Sequence, residues 1–207
     1  MDLRSRWVAL TERLNARRDT LPIFQREIEA RYGEPHRAYH TLAHLEHCMA
    51  ELDAVRTRLG DEGAVELALW FHDAVYNVHF PGDNETKSAE LAELVAADLG
   101  LAQERIVKIR QWILATKTHD LDAAGEPDGA LMLDIDMSVL GQSAPVYDAY
   151  TTNVRREFSW VPAFVYTKKR GDFLRALLAR ERIFMSDFFR ARYEAAARAN
   201  IARELAA

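Results

Sequence analysis

Apolar residues recur at helical spacing along nearly the whole chain, and no segment alternates between apolar and polar residues as a half-buried strand would. Leu3, Trp7, Leu10 and Leu14 form one such stripe and predict an N-terminal helix. Two or three helices fill the C-terminal part, where Gly171 is a candidate break. The other predicted helices cover Pro22–Gly33, His40–Leu59, Ala64–Tyr76, Asn84–Gly100, Gln103–Thr118 and Leu131–Leu140. The pattern therefore predicts an all-α protein.

Composition narrows the class of protein. The chain has 207 residues, of which 49% are hydrophobic and 29% charged, as in soluble globular proteins. Its net charge of -5, without a basic tail, argues against nucleic acid as a partner, although a small phosphorylated ligand needs only a few cations. No apolar run approaches the roughly 20 residues that span a bilayer. Cys48 is the single cysteine, which excludes an intramolecular disulfide and favours a cytoplasmic location.

A titratable pair interrupts the most apolar predicted helix, within the stretch "ALWFHDAVYN". Apolar residues cover nearly the whole circumference of this helix, which is typical of a buried one, so His72 and Asp73 are expected inside the protein. A buried carboxylate needs a partner, hydrogen bonds or a metal ion. The pair is therefore either a satisfied structural contact or part of a metal site.

Two further segments carry candidate ligands. In "YHTLAHLEHCMAEL", His40, His44 and His47 are spaced four and three residues apart and are expected on one helical face. His44 lies nearest the edge of the apolar stripe and is the best candidate, whereas the other two alone fit a surface position. In "LMLDIDMSVLG", Asp134 and Asp136 point to different sides of a helix. One could cap the helix while the other faces inward, or both could be capping or solvated residues.

Imidazole and carboxylate groups together suit manganese, iron, zinc, nickel or cobalt. The ordered motifs "YHTLAHLEH", "FHDAVY", "NETKSA" and "DIDMSVLG" resemble the HD superfamily of metal-dependent phosphohydrolases, and more closely a bacterial subgroup of predicted HD phosphohydrolases. The matches run from Tyr39 to about Arg170. The resemblance implies one all-helical domain over 1–207, with a metal-site core at about 36–141 and C-terminal helices at 145–205 packing on it.

The resemblance also implies roles for particular residues. Its metal ligands map to His44, His72, Asp73 and Asp136, with Asp134 as the alternative to Asp136. Some HD nucleotidases carry a proton-transferring Glu three residues after the HD aspartate, where this chain has Tyr76. The proton-transferring residue is therefore open, and its candidates are Glu85, His119 and Asp134. Candidate substrate contacts are His40, Tyr76, Lys117, Arg155 and Arg170, although a lysine or arginine is more often a surface residue.

The leading hypothesis is a hydrolase that cleaves a small phosphate ester or anhydride, expected to be a nucleotide, with a metal-activated water. The alternative is a non-catalytic sensor module that binds metal or nucleotide with the same fold. A third hypothesis is oxygenase chemistry at a di-iron site, which needs additional His and Asp ligands. Members of the HD superfamily with two metals recruit extra histidines, and the resemblance offers His40 and His119 for a second ion. A small phosphorylated substrate is the expected partner, with neither nucleic acid nor a membrane.

Overall fold

The computed structural model describes residues 1–16, 19–119 and 126–206, and over these ranges it contains helices and turns but no strand. The all-α prediction is therefore confirmed. The chain divides into two compact units, one spanning Met1–Leu133 and the other beginning at Asp134. Each unit is described by itself, and the expectation of one domain over 1–207 stays a prediction.

The helices of the first unit follow one another closely along the chain. The segment Phe24–Glu29 is π-helical, and Arg56–Arg58 and Pro81–Asp83 are short 3₁₀ turns. The first unit comprises α1 (Leu3–Arg13), α2 (Leu21–Ile23, the π-helical Phe24–Glu29, and Ala30–Tyr32), α3 (Leu42–Val55, then Arg56–Arg58), α4 (Glu62–Phe71), α5 (Asn84–Asp98, after Pro81–Asp83) and α6 (Gln103–Ala115). The second comprises a 3₁₀ turn (Ser138–Gly141), α8 (Ala144–Glu157), α9 (Ala163–Ala179) and α10 (Asp187–Ala206). Helix α7 (Pro127–Met137) crosses the boundary.

An aromatic cluster joins α1, α2 and α4 in the core of the first unit. Trp7 packs edge-on against Trp70 with ring centroids 5.7 Å apart, and Phe24 lies 6.1 Å from Trp70. Trp7 and Trp70 are fully buried, as their apolar stripes predicted. The Trp7 indole N–H donates to the Thr20 carbonyl at 3.0 Å, so its polar atom is satisfied. Edge-on aromatic contacts of this kind hold α4 in the interior.

Helix α4 ends at Phe71 and not at Tyr76, so the predicted end was wrong. The carbonyl oxygens of Asp73 and Ala74 accept hydrogen bonds from the guanidinium group of Arg37, at 2.7 and 3.0 Å. A side chain from a distant part of the sequence thus satisfies backbone carbonyls that lie just after the end of the helix. Local apolar spacing carries no information about such a partner.

Other helix bounds also differ from the predicted ones. Helix α3 begins at Leu42, so His40 precedes it, and the argument for a shared helical face applies only to His44 and His47. Helix α9 continues through Gly171, so the predicted break was wrong. Helix ends are the least reliable part of a sequence-based assignment, because caps and tertiary partners decide them.

In the second unit, α10 packs closely on the 3₁₀ turn Ser138–Gly141. A Cβ atom at Gly141 would lie 2.3 Å from the Cβ atom of Tyr193, so only glycine fits this approach. The Asn200 amide donates to the carbonyls of Leu140 and Gln142 at 2.9 and 2.8 Å. Within the described part of the chain, no helix combines the length and apolar character needed to cross a membrane.

Candidate metal site

His72 occupies the C-terminal cap of α4, where its side chain is fully buried. Its Nδ1 atom lies 2.8 Å from the carbonyl oxygen of Leu69. Because a carbonyl only accepts hydrogen bonds, Nδ1 carries the proton and Nε2 is left to offer its lone pair when the ring is neutral. A backbone carbonyl on the second ring nitrogen is a common partner of metal-binding histidines, since it fixes the tautomer and the ring orientation.

The Nε2 atom of His72 meets two further electron-pair donors from the first unit. It lies 3.1 Å from Nε2 of His44 and 3.0 Å from Oδ2 of Asp73, and these two atoms are 3.7 Å apart. Ligand atoms about 2.1 Å from one ion lie about 3.0 Å apart at octahedral angles and about 3.4 Å apart at tetrahedral angles. The spacing therefore fits three donors around one divalent ion.

Cys48 was missed as a candidate ligand, although it lies one helical turn after His44. Ligand atoms of His44, Cys48 and His72 lie within 4.8 Å of one another, so this buried group could hold a metal ion. The Cys48 sulfur lies 3.6 Å from Nε2 and 3.9 Å from Nδ1 of His44. These similar distances place it beside the imidazole and not along the Nε2 lone pair. Oδ2 of Asp73 is the better-placed third donor.

Asp134 and Asp136 lie on α7 beyond the boundary, in the second unit. Both Asp134 oxygens accept hydrogen bonds within that unit: Oδ1 from the Met185 amide at 2.7 Å, and Oδ2 from the amide and hydroxyl of Ser186 at 2.7 and 2.6 Å. Burial raises the pKa of Asp134 to about 6, against the opposing effect of these hydrogen bonds. They give Asp134 a structural role, which favours Asp136 as the ligand. Asp136 as fourth ligand stays a prediction.

His40 and Tyr76, two predicted substrate contacts, lie at the edge of the His–Asp group. Nε2 of His40 is 3.9 Å from Oδ2 of Asp73, and the His40 ring packs on Tyr76 with centroids 4.3 Å apart. Both residues are half-buried. They are therefore placed where a molecule approaching Asp73 would meet them.

Arg37 is the second residue that sequence reasoning missed. Its side chain is fully buried and donates to the carboxylate of Glu34 at 3.0 Å. The guanidinium group also lies over the rings of Tyr32 and Tyr76, 5.0 and 5.3 Å from their centroids. Burial and the nearby charge of Asp73 raise the pKa of Tyr32 well above its ordinary value. Arginines are mostly exposed, so the loop-like stretch "EPHRAY" gave no sign of a buried one.

Glu85 and Lys117 form a pair in the first unit. Glu85 lies in the first turn of α5, where the nearby Ser88 hydroxyl accepts a hydrogen bond from the Val75 amide at 3.0 Å. Oε2 of Glu85 is buried and has no hydrogen-bond partner among the described residues, although the Lys117 ammonium group lies 3.7 Å away. Lys117 also donates to the Gly82 carbonyl at 2.7 Å. The 3.7 Å separation makes an ion pair and not a direct hydrogen bond.

The remaining candidates have other surroundings. His119 follows α6 and is half-buried, with a left-handed backbone φ of 47°. In the second unit, Arg155 donates to two carbonyls of the turn after α8. Arg170 donates to Glu204 at 2.9 Å and to the Tyr150 hydroxyl at 3.0 Å. These contacts engage both guanidinium groups, and their roles toward a substrate stay predictions.

Comparisons with known proteins assign no family to the chain, so its function is inferred from the geometry of the site. No family model, curated protein or solved structure matches the chain. What is established is an all-helical protein with a buried group of side chains that could hold a metal ion.

Proposed function

We propose that the protein is a metal-dependent phosphohydrolase that cleaves a small phosphate ester or anhydride, with nucleotides as the first substrate class to test. The observation that carries the proposal is the convergence of His44 Nε2, His72 Nε2 and Asp73 Oδ2 within 3.7 Å. The ordered motifs that resemble the HD superfamily support the same assignment.

The donor set is suited to a divalent transition ion, namely manganese, iron, nickel, cobalt or zinc. His44, His72 and Asp73 would hold the ion, and Asp136 is the predicted fourth ligand. Such an ion lowers the pKa of a bound water and polarises a phosphoryl oxygen. Burial of both imidazoles keeps their orientation fixed, while the Asp73 side chain remains 21% exposed. The exposed edge at Asp73 leaves an approach for substrate.

The Glu85–Lys117 pair would supply the complementary charges that this chemistry needs. A cation such as Lys117 offsets the charge that develops on the transferred phosphoryl group. Glu85 is the preferred proton acceptor, because its buried Oε2 lacks a hydrogen-bond partner among the described residues. His119 and Asp134 are the other candidates, and Asp134 is the weaker because three hydrogen bonds hold it.

The test begins with the metal content of the purified protein and its turnover of nucleotides and simple phosphate esters with added Mn²⁺. Metal-dependent release of phosphate or pyrophosphate is expected. Asp73→Ala should reduce that rate more than about 100-fold, since loss of even an outer-shell partner costs 10–100-fold. His47→Ala is the matched control on α3. Turnover that needs metal but survives Asp73→Ala unchanged would refute the assignment.

A sensor module is the second candidate, favoured by one observation. Tyr76 stands where some HD nucleotidases carry a proton-transferring Glu, and its ring packs against His40. A sensor predicts that nucleotides raise the melting temperature without forming product across the whole phosphate panel. An oxygenase predicts two irons per chain, whereas one bound ion per chain argues against it.

A further inference from the structure

We propose that Arg37 is a positioning residue that sets the spacing of the metal-binding side chains. This inference rests on the proposed function. It concerns the residue that positions the metal ligands, and not the ligands themselves.

The guanidinium group of Arg37 bridges the two segments that carry the ligands. It donates to the carbonyl of His40, at 3.1 Å, just before the helix that bears His44. It also donates to the carbonyls of Asp73 and Ala74, directly after His72. One planar group therefore ties the start of α3 to the end of α4, where the donor atoms meet.

The surroundings of Arg37 hold this group in a single orientation. Glu34 accepts from Nε and balances the charge, while the rings of Tyr32 and Tyr76 cover the guanidinium group. The side chain is fully buried, so few other rotamers are open to it. A planar fork with five N–H donors can reach several carbonyls in fixed directions, whereas a lysine ammonium group is a compact charge on a flexible stem. Lysine at this position would keep the charge and lose the geometry.

Arg198 offers a matched control in the second unit. It donates to the carbonyls of Leu178, Arg180 and Glu181 at 3.1, 2.9 and 3.0 Å, and it pairs with Glu194 at 2.7 Å. The chemistry is that of Arg37: three backbone carbonyls and one carboxylate. None of these contacts involves a residue predicted to bind metal.

The experiment compares Arg37→Lys with Arg198→Lys in the full chain. Mn²⁺ affinity is measured by calorimetric titration and the melting temperature by thermal unfolding. Both variants should unfold at lower temperature, because each loses hydrogen bonds to backbone carbonyls. Only Arg37→Lys should bind Mn²⁺ 10–100-fold more weakly, as expected for a residue that orients ligands. An Arg37→Lys affinity within twofold of the parent would overturn the proposal.

A second readout separates this proposal from the proposed function. In the metal-free protein, the imidazole resonances of His44 and His72 should shift in Arg37→Lys and stay in place in Arg198→Lys. If the parent binds no Mn²⁺, the metal-dependent function fails, and unchanged resonances in Arg37→Lys would then refute the positioning role as well. Arg37→Gln, which keeps two amide donors, replaces the lysine variant if that variant does not fold.

Discussion

The half-buried Asp73 in the first unit and the buried Asp134 in the second have different polar partners. Asp134 receives three hydrogen-bond donors at 2.6 to 2.7 Å, as a structural carboxylate should. Oδ2 of Asp73 instead faces the Nε2 atom of His72 at 3.0 Å, and that nitrogen faces a second imidazole nitrogen. Carboxylate oxygens and unprotonated imidazole nitrogens are all acceptors, so they meet at these distances around a proton or a cation.

The difference distinguishes two uses of buried charge. A carboxylate met by N–H and O–H donors stabilises the fold, because its desolvation is offset by charge-assisted hydrogen bonds. A group of imidazole and carboxylate side chains can instead bind a divalent cation, and the cation displaces the protons that the group shares. The two carboxylates next to the signature motifs therefore look alike in the sequence and differ in what surrounds them.

The largest expected effect is on metal binding and activity, and it comes from the group around Asp73. His72→Ala removes the histidine at the centre of the donor group, and we expect loss of bound metal with a fall in kcat/KM of more than about 100-fold. Metal analysis and steady-state kinetics on the proposed phosphate substrates measure both. His47→Ala, on the same helix as His44, should retain metal and rate. Equal losses in both variants would mean that damage to the fold, and not loss of a ligand, explains the effect.

A change at Asp134 should act on stability. Asp134→Ala leaves the Met185 amide and the amide and hydroxyl of Ser186 without their acceptor, and we expect unfolding free energy to fall by about 2–4 kcal/mol. Asp136→Ala leaves these three donors with their acceptor and should weaken Mn²⁺ binding. Urea unfolding and Mn²⁺ titration of both variants separate the two outcomes. If Asp134→Ala kept its stability and lost Mn²⁺, the ligand would be Asp134.

Arg170 and Lys117, two candidate substrate contacts, can be compared in the same way. Arg170→Met should lower the free energy of unfolding by about 1–3 kcal/mol, because it removes charge-assisted hydrogen bonds to Glu204 and Tyr150. Its kcat/KM should stay near the parent value. Lys117→Met should leave stability unchanged and lower kcat/KM about 10-fold, since an exposed side chain contributes little to folding. A reversed pattern would support the prediction that Arg170 contacts the substrate.

The smallest expected effect is a pH dependence of the free energy of unfolding. It comes from Asp53, a carboxylate of the first unit. Hydrogen bonds from Arg6, reinforced by Arg56 and opposed by partial burial, lower the pKa of Asp53 to about 2. A lowered pKa adds stability that is fully present above the ordinary value near 3.8 and is lost as pH falls toward 2. Urea unfolding at pH 6 and in steps from pH 4 to 2 should show a smaller decline in Asp53→Asn than in the parent. Parallel declines would contradict the assignment.

Much of the fold could be predicted, because helical spacing of apolar residues is a local property. The burial of Trp7, Trp70 and His72 followed from apolar stripes, and all three are buried. Helix ends could not be predicted as well. The carbonyls of Asp73 and Ala74, just after the end of α4, accept from Arg37, which lies 36 residues before Asp73 in the sequence. A long-range hydrogen bond of this kind leaves no trace in local periodicity.

Part of the candidate site could also be predicted from the sequence, and part could not. Its residue types and their order along the chain, from His44 through the His72–Asp73 pair to "DID", are visible in the sequence and were enough to suggest metal-dependent chemistry. Cys48 was visible too, four residues after His44, but spacing alone does not separate a ligand from a neighbour. The three-dimensional positions show the sulfur beside the ring and the Asp73 oxygen facing His72.

The sequence by itself determined the helical architecture, the buried character of α4 and the side chains that can bind an ion, since these depend on composition and short-range spacing. Only the tertiary structure decided that Nε2 of His44, Nε2 of His72 and Oδ2 of Asp73 meet, that Asp134 is held by hydrogen bonds, and that a buried arginine ties the two ligand-bearing segments together. Distances between residues far apart in the chain are set by packing and by long-range hydrogen bonds, which no short stretch of sequence encodes.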